Sequence, residues 1–297
     1  MENVLICGIG ALGLTYAVKL NGKCRLKVLV DRERLERYRL KKPVFNGAVQ
    51  NFDYILPSDS FKPDLIIIAV KNQNLDDIIK NIKNFVNDKT IIISLINGIT
   101  SEDRIKSAYP QACTLKSFFM GHSAVRVDNS VTQDGAGKII FEKNERLAAF
   151  FEKNGIDYEC PQDIDYAVWL KFAVNIFSNQ TSAVLNMTFG ELKRNVQFIE
   201  FAKKLINEVR TVAEKIGIQN TENLERDALR CLSLMSDGGK TSMLQDILAG
   251  RKTEADIFAG EIIRLGKVYG VETPCNSVLY NLIKIAEENS EKIKPGL

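Results

Sequence analysis

Short apolar runs alternate with helix-compatible stretches along the first part of the chain. The apolar runs fall at residues 4–7, 26–30, 65–70 and 91–96, and the helical stretches at 11–20, 33–40 and 75–85. Strands that are apolar throughout suit a sheet that is covered on both faces. The alternation therefore predicts a doubly wound parallel sheet, with a β-hairpin at 44–56 and further strands within 115–142.

The pattern changes near Pro161. No proline occurs between Pro161 and Pro274, and such a gap suits a helical domain because proline breaks helix interiors. Apolar residues recur there with a helical period, as at Phe198, Ala202, Leu205, Val209 and Val212. We therefore predict two domains: residues 1–163 of the α/β class, and residues 164–297, which are mainly α-helical.

Net charge, the length of the apolar runs and the cysteine spacing argue against several classes of protein. The 297 residues include 40 Lys+Arg and 37 Asp+Glu, and a net charge of +3 gives no reason to expect a nucleic-acid partner. No apolar run approaches the ~18 residues of a membrane span. The six cysteines lack CxxC spacing, which favours reduced thiols in a cytoplasmic protein.

His122 is the only histidine in the sequence. This count excludes zinc motifs built on paired histidines, and we expect no metal site. We expect His122 in a strand or loop, and a general acid of another residue type.

A glycine-rich turn follows the first apolar run. The residues that match GxGxxG between a strand and a helix are Gly8, Ile9, Gly10, Ala11, Leu12 and Gly13. In such a turn the first glycine allows a tight bend, the second the close approach of a pyrophosphate, and the third close helix–strand packing. The N–H groups of the following helix then face the phosphates. The motif predicts a Rossmann-type dinucleotide-binding domain.

Two charged residues of opposite sign follow the second apolar run. Asp31 could accept hydrogen bonds from the adenosine ribose of NAD, and Arg32 could pair with the 2′-phosphate of NADP. Both could also be solvated loop residues. The residues alone favour NADP only slightly.

A polar stripe runs along an otherwise apolar segment. Lys171, Asn175 and Asn179 are spaced four residues apart, so an α-helix would place them on one face. Unpaired burial of such groups is costly, so they meet water, partners or a ligand. A partly desolvated lysine has a lowered pKa and can act as a general acid, and the two carboxamides can orient a carboxylate, hydroxyl or keto group.

A second polar cluster lies further along the chain. Ser242 is either a helix N-cap or a ligand contact, and Glu254 is an acid at a helix start, where the dipole favours negative charge. Arg251 could pair with Asp246 or with Glu254.

In chain order these blocks resemble the ketopantoate reductase (2-dehydropantoate 2-reductase) family. The matching blocks are residues 8–13, Ala69-Val70-Lys71, Asn97-Gly98, residues 169–175 with Asn179, residues 242–246 and residues 251–254. The resemblance implies a Rossmann domain joined to a helical domain, with the active site in the cleft between them. It implies NADPH-dependent reduction of 2-dehydropantoate, a 2-keto acid, to D-pantoate in the pantothenate route, and it is compatible with a homodimer.

The resemblance also assigns roles by position. Lys171 corresponds to the catalytic lysine that donates a proton to the carbonyl oxygen, and Glu254 to the active-site glutamate. The residues that correspond to substrate contacts are Asn97, Asn175, Asn179 and Ser242. On the cofactor side it assigns residues 8–13, Arg32 at the 2′-phosphate, Lys71, Asn97 and Glu254.

Three positions depart from the family pattern. Asp31 stands beside Arg32, Gln180 occupies a position where many members have proline, and Ala259 one where they commonly have asparagine. These departures leave the reaction type in place and the identity of the keto acid open.

Two alternatives differ in chemistry. One is another reductase on the same two-domain plan, such as an opine or 3-hydroxyacid dehydrogenase, but those commonly depend on a histidine acid. The other is a regulator that binds NADP without turnover, which would not need the stripe of Lys171, Asn175 and Asn179.

Overall fold

The computed structural model describes residues 1–121, 124–133, 135 and 137–292. The chain divides into two compact units, Met1–Ile164 and Asp165–Leu297. His122 lies outside the described residues, as do residues 123, 134 and 136 of the segment 115–142 in which further strands are expected. Within the described residues no helix is long and apolar enough to cross a membrane.

The first unit is built from strands and helices that alternate. Its strands are β1 (Asn3–Cys7), β2 (Arg25–Leu29), β3 (Val44–Phe45), β4 (Ala48–Val49), β5 (Tyr54–Ile55), β6 (Leu65–Ile68), β7 (Ile91–Ser94), β8 (Cys113–Leu115), β9 (Ser117–Gly121), β10 (Ala124–Val127), β11 (Ser130–Gln133), β12 (Gly137–Phe141) and β13 (Tyr158–Glu159). Its helices are α1 (Ala11–Leu20), α2 (Arg32–Leu40), α3 (Leu75–Asn81), α4 (Ser101–Ala108) and α5 (Glu145–Asn154). A parallel sheet in the order β5-β2-β1-β6-β7-β8 is its centre.

The central strands are apolar throughout because both faces of this sheet are covered. Successive side chains of a strand point to opposite faces. One core cluster contains Val4, Ile6, Leu65, Ile67, Ile91 and Ile93. The cluster on the other face contains Leu5, Cys7, Ile66, Ile68 and Ile92. The predicted α/β Rossmann-type class of the first domain is thereby confirmed.

The parallel strands end in line with one another. Cys7 pairs with Leu29 on one side and Ile68 on the other, and Ile68 pairs with Ser94. The chain order reverses at β1, because β2 lies on one side of it and β6 on the other. Ligands of open α/β sheets bind outside the carboxyl ends of strands at such a switch point.

Two smaller sheets complete the first unit, in the orders β10-β11-β3-β4 and β13-β12-β9. The hairpin expected at 44–56 is shorter than predicted: β3 and β4 pair around Asn46 and Gly47, both at positive φ, whereas β5 joins the parallel sheet. Asn-Gly suits this turn because both residues tolerate the left-handed conformation.

The second unit is helical, as predicted. Its helices are α6 (Ile164–Val174), α7 (Gln180–Leu185), α8 (Phe189–Arg194), α9 (Val196–Ile216), α10 (Leu224–Ser233), α11 (Ser242–Leu248), α12 (Ala259–Tyr269) and α13 (Pro274–Lys292). The periodic apolar residues expected on α9 are buried: Phe198, Ala202, Leu205, Val209 and Val212.

A buried carboxylate on α9 caps the start of α13. Glu208, 7% exposed, accepts hydrogen bonds from the backbone N–H groups of Cys275 and Asn276, at 2.7 and 3.0 Å, and from the Asn276 side-chain amide at 2.7 Å. The first N–H groups of a helix have no acceptor within it, and a carboxylate there also meets the positive end of the dipole. Glu208 thus joins two helices through polar contacts in an apolar setting.

Replacing this carboxylate should destabilise the second unit. In Glu208→Ala three donors lose their acceptor, and each such loss costs about 1–3 kcal/mol, so we expect the free energy of unfolding to fall by about 3 kcal/mol or more. Urea denaturation measures this. The matched control is Glu200→Ala on the same helix, whose pair with Lys203 is exposed to solvent and contributes little to stability. Equal losses in the two variants would contradict a capping role.

Candidate active site

The glycine turn after β1 is fixed by two close backbone approaches. Gly8 has φ +91°, and a Cβ there would lie 2.8 Å from the carbonyl oxygen of Ala69. A Cβ on Gly13 would lie 1.8 Å from the carbonyl oxygen of Gly8. Glycine is therefore required at both positions by the protein itself, before any ligand is considered.

Gly10 differs from these two glycines. A Cβ built there meets its nearest protein atom, the Ala69 carbonyl oxygen, only at 3.9 Å. Gly10 is also the N-cap of α1, so the N–H groups of the first turn of α1 lie next to a backbone face that carries no side chain. This cradle fits the pyrophosphate of a dinucleotide, which needs close backbone approach and unpaired N–H donors.

Asp31 and Arg32 have different surroundings at the start of α2. Asp31 is the N-cap, and its carboxylate accepts from the backbone N–H of Arg34 at 2.7 Å and from Arg34 Nη1 at 3.0 Å. Arg32 is exposed and has no ion-pair partner within the part of the chain that the structure describes. Asp31 therefore has a structural role, while the Arg32 guanidinium is available to an anion.

Arg126 on β10 contacts the glycine turn. Its Nη1 donates to the carbonyl oxygen of Ile9 at 2.9 Å, and its Nε donates to the carbonyl oxygen of Asp128 at 2.8 Å. The contact brings a positive charge beside the loop that would carry phosphates. Arg126 could not be identified from the sequence, because the packing of β10 near α1 is not encoded in any local pattern.

Lys71 and Asn97 follow β6 and β7 at the carboxyl edge of the sheet. Lys71 is exposed and precedes a 3₁₀ turn (Asn72–Asn74), and Asn97 is partly buried. The same edge continues into α4, where burial raises the pKa of Glu102 to about 7, although a hydrogen bond from the Ser101 hydroxyl at 2.8 Å opposes the shift. The register places these residues with the glycine turn at one edge.

The segment with the polar stripe departs from α-helical geometry. Between α6 and α7, residues Asn175–Asn179 form a π-helical turn. A π turn is wider than an α turn, and such turns are frequent at functional sites. The prediction of one regular α-helix through Lys171, Asn175 and Asn179 is therefore wrong from Asn175 onward.

Three of the predicted residues are hydrogen-bonded to one another. The side-chain amide of Asn179 donates to Oδ1 of Asn175 at 2.9 Å, and Oδ1 of Asn179 accepts from the Ser242 hydroxyl at 3.2 Å. The backbone N–H of Met243 also donates to Asn179, at 3.4 Å. Asn179 is 8% exposed, Asn175 is partly buried and Ser242 is exposed. The network therefore runs from the interior to an accessible hydroxyl.

Ser242 is not the N-cap of α11, one of the two roles predicted for it. That role belongs to Thr241, whose hydroxyl accepts from the backbone N–H of Leu244 at 3.2 Å. The hydroxyl of Ser242 is thus left for Asn179 and for a ligand. The preceding loop is held by α8, since Lys193 and Arg194 both pair with Asp237, at 2.9 and 2.8 Å.

Glu254 precedes a 3₁₀ turn (Ala255–Ile257) and is partly buried. Both neighbours are bound to α13: Thr253 donates from its backbone N–H to Glu287 at 2.7 Å, and Asp256 accepts from the Tyr280 hydroxyl at 2.7 Å. Arg251 pairs with Asp246 at 2.7 Å, as one of the two predicted pairings has it. The segment around Glu254 is therefore fixed on both sides.

The second unit thus offers two carboxamides, a hydroxyl, an ammonium group and a carboxylate within a few short segments. Such groups can bind a carboxylate and a carbonyl or hydroxyl oxygen through hydrogen bonds. Among the described residues, no group of three or more His, Cys, Asp or Glu side chains is placed to hold a metal ion.

Comparisons with known proteins identify the family of this chain. The family described as Ketopantoate reductase PanE/ApbA matches residues 4–146, and its C-terminal counterpart, Ketopantoate reductase PanE/ApbA C terminal, matches residues 163–287. The 2-dehydropantoate 2-reductase of Aquifex aeolicus is 27% identical over 95% of this chain and 96% of its own length. That of Pyrococcus horikoshii is 28% identical over 96% and 97%.

Solved structures share the fold over nearly the whole chain. A D-mandelate dehydrogenase with NADH and anilino(oxo)acetate has a TM-score of 0.86 at 24% identity, covering 98% of this chain and 100% of that one. A PanE/ApbA family ketopantoate reductase from Ralstonia eutropha JMP134 has a TM-score of 0.84 at 22% identity with the same coverage. Both domain matches and the full-length relatives show that this chain is an oxidoreductase that belongs to the ketopantoate reductase family.

Proposed function

We propose that this protein reduces 2-dehydropantoate to D-pantoate with NADPH. The observation that carries the proposal is the hydrogen-bonded network of Asn175, Asn179 and Ser242, in which the two carboxamides directly follow the helix that contains Lys171. Relatives named 2-dehydropantoate 2-reductase support the choice of keto acid. A regulator that only binds the dinucleotide would not need these polar groups in an apolar helix.

The residues of the first unit suit NADPH. Gly10 and the N–H groups of the first turn of α1 would hold the pyrophosphate, Arg32 the 2′-phosphate, and Lys71 and Asn97 further parts of the cofactor. When bound, the nicotinamide supplies the hydride to the keto carbon. The pairing of the Asp31 carboxylate with Arg34 and with the helix start offsets its repulsion of a 2′-phosphate.

The residues of the second unit would bind and protonate the substrate. Negative charge develops on the keto oxygen during reduction, and an ammonium group beside it stabilises the transition state more than the ground state. Lys171 would hold that position and donate its proton to the oxygen. Asn175, Asn179, Ser242 and Glu254 would orient the carboxylate and hydroxyl groups, and Asn97 is a further candidate substrate contact.

We also propose a cytoplasmic homodimer. A ketopantoate reductase from Staphylococcus aureus with the same fold, at a TM-score of 0.80, is described as dimeric. All six cysteines of this chain are unpaired thiols, which suits a reducing compartment.

A substrate screen tests the proposed reaction. We expect absorbance at 340 nm to fall fastest with NADPH and 2-dehydropantoate, and more slowly with pyruvate-like 2-keto acids or with NADH. A faster rate with a different keto acid would show that 2-dehydropantoate is not the preferred substrate, while the reaction would still be the reduction of a 2-keto acid. No oxidation of either cofactor with any 2-keto acid would overturn the proposal.

Removal of the proposed acid should affect turnover more than binding. Loss of a general acid costs at least ~10²-fold, so we expect kcat of Lys171→Ala to fall by that factor while NADPH affinity is kept. The matched control is Lys203→Ala, which removes an exposed lysine from α9. Near-normal turnover in Lys171→Ala, measured at 340 nm, would refute the assigned acid.

Substitution of two arginines of the first unit should distinguish a contact to the 2′-phosphate from a contact near the pyrophosphate. A charge-assisted hydrogen bond contributes about 1.5–3 kcal/mol, so Arg32→Ala should weaken NADPH by roughly tenfold or more and leave NADH nearly unchanged. Arg126→Ala should weaken both cofactors alike, because it acts at the glycine turn that they share. Fluorescence titration of the reduced nicotinamide measures both affinities.

The control for this pair is Arg39→Ala, since Arg39 lies on α2 and pairs with Glu36 at the surface. Equal effects of Arg32→Ala on NADPH and NADH would argue against a contact with the 2′-phosphate. If Arg126→Ala weakens NADPH alone, Arg126 contacts the 2′-phosphate and not the part of the cofactor that NADPH and NADH share.

A further inference from the structure

A buried amide lies directly after the π-helical turn. Gln180 is the first residue of α7 and is 0% exposed. A side-chain amide carries donors and an acceptor, and buried polar groups of this kind are hydrogen-bonded in native structures. The Gln180 amide meets this requirement through two hydrogen-bond partners in different elements.

One partner belongs to the π turn itself. Nε2 of Gln180 donates to the carbonyl oxygen of Ile176 at 3.0 Å. Ser178 makes a similar bond within the segment, from its hydroxyl to the carbonyl oxygen of Val174 at 2.6 Å. The wider turn interrupts the regular helical ladder, and these side chains supply donors to its carbonyl groups. The Gln180 bond thus helps to hold the backbone that presents Asn175 and Asn179.

The other partner is the start of α12. Oε1 of Gln180 accepts from the backbone N–H of Ala259 at 3.1 Å. Ala259 is the first residue of α12, and its N–H has no acceptor within that helix. Gln180 therefore caps α12 from a different helix. The cap is close in sequence to Glu254, since only the 3₁₀ turn Ala255–Ile257 and Phe258 separate them.

We infer that Gln180 is a positioning residue that fixes the spacing between the carboxamides of Asn175 and Asn179 and the segment of Glu254. It does this without touching substrate, because its side chain is fully enclosed. The inference rests on the proposed function in taking those three residues as the substrate-binding set. Gln180 and Ala259 are two of the positions that depart from the family pattern. In the structure one hydrogen bond joins them.

The test replaces the amide by an apolar side chain of similar volume. In Gln180→Met both bonds are lost, and we expect KM for the keto acid to rise by about 10- to 100-fold, the scale of a misplaced binding group. NADPH affinity, measured by fluorescence, should stay within about twofold because the cradle belongs to the first unit. In Gln180→Glu the ionised carboxylate keeps the acceptor for Ala259 and lacks the donor to Ile176, so at a pH where this carboxyl is ionised its KM should fall between those of wild type and Gln180→Met.

Two controls separate positioning from general stability. Thr181→Val alters the neighbouring buried side chain, whose hydroxyl has no partner among the described residues, and should leave KM unchanged. Leu232→Ala removes a buried side chain from α10, which packs on α8 and α9, and should lower the melting temperature while leaving KM unchanged. An equal rise in KM for Gln180→Met and Leu232→Ala would overturn the inference, as would an unchanged KM in Gln180→Met.

Crystal structures keep this test independent of the proposed reaction. If wild-type protein reduces no 2-keto acid, the proposed function fails, and the inference is then read from the coordinates alone. We expect the separation between the side chains of Asn179 and Glu254 to change by more than about 0.5 Å in Gln180→Met, or in Gln180→Glu if the former does not fold. A smaller change in a folded variant would overturn the inference even if the enzyme is active.

Discussion

The helical unit depends on the pairing of polar groups in a setting that is otherwise apolar. An unpaired buried amide or carboxylate costs free energy comparable to a lost hydrogen bond, so each such group fixes the elements around it. Asn179 holds Asn175 and the start of α11, Gln180 holds the π turn and α12, and Glu208 holds α13. The helices are thereby fixed in a defined arrangement that apolar packing alone, which is non-directional, does not specify.

The first unit follows a different constraint, the close approach of backbone to backbone. At Gly8 and Gly13 any side chain would collide with main-chain atoms, while a Cβ at Gly10 would make only an ordinary contact with the carbonyl oxygen of Ala69. The three glycines of the motif therefore differ: the fold itself requires Gly8 and Gly13, whereas at Gly10 the requirement would come from the proposed pyrophosphate. Asp31 and Arg32 differ in a similar way: Asp31 caps the start of α2, whereas the Arg32 side chain is exposed to solvent.

Much of this architecture could be predicted from the pattern of residues. Strands with both faces buried are apolar at every position, and the glycine turn has a fixed place between strand and helix, so the parallel sheet and its carboxyl edge followed directly. The long proline-free region likewise predicted the helical unit. These signals are local, and each depends on neighbours within a few residues along the chain.

The features that the sequence could not give depend on distant partners. The π turn at Asn175–Asn179 has no periodic signature, and the regular spacing of the polar stripe favoured an α-helix. Arg126 meets the glycine turn only because β10 packs near α1. Thr241 and Ser242 are adjacent hydroxyl residues, and only the geometry of the helix start shows which of them is the cap.

The π turn also bears on how this helix can change in evolution. A π turn closes its hydrogen bonds over one more residue than an α turn, so the segment contains one residue beyond what a regular helix would need. Deletion of a single residue there could be absorbed by a return to α-helix, with both flanking helices left in place. A change in backbone length at this turn would therefore alter which side chains the segment presents, while both flanking helices keep their fold.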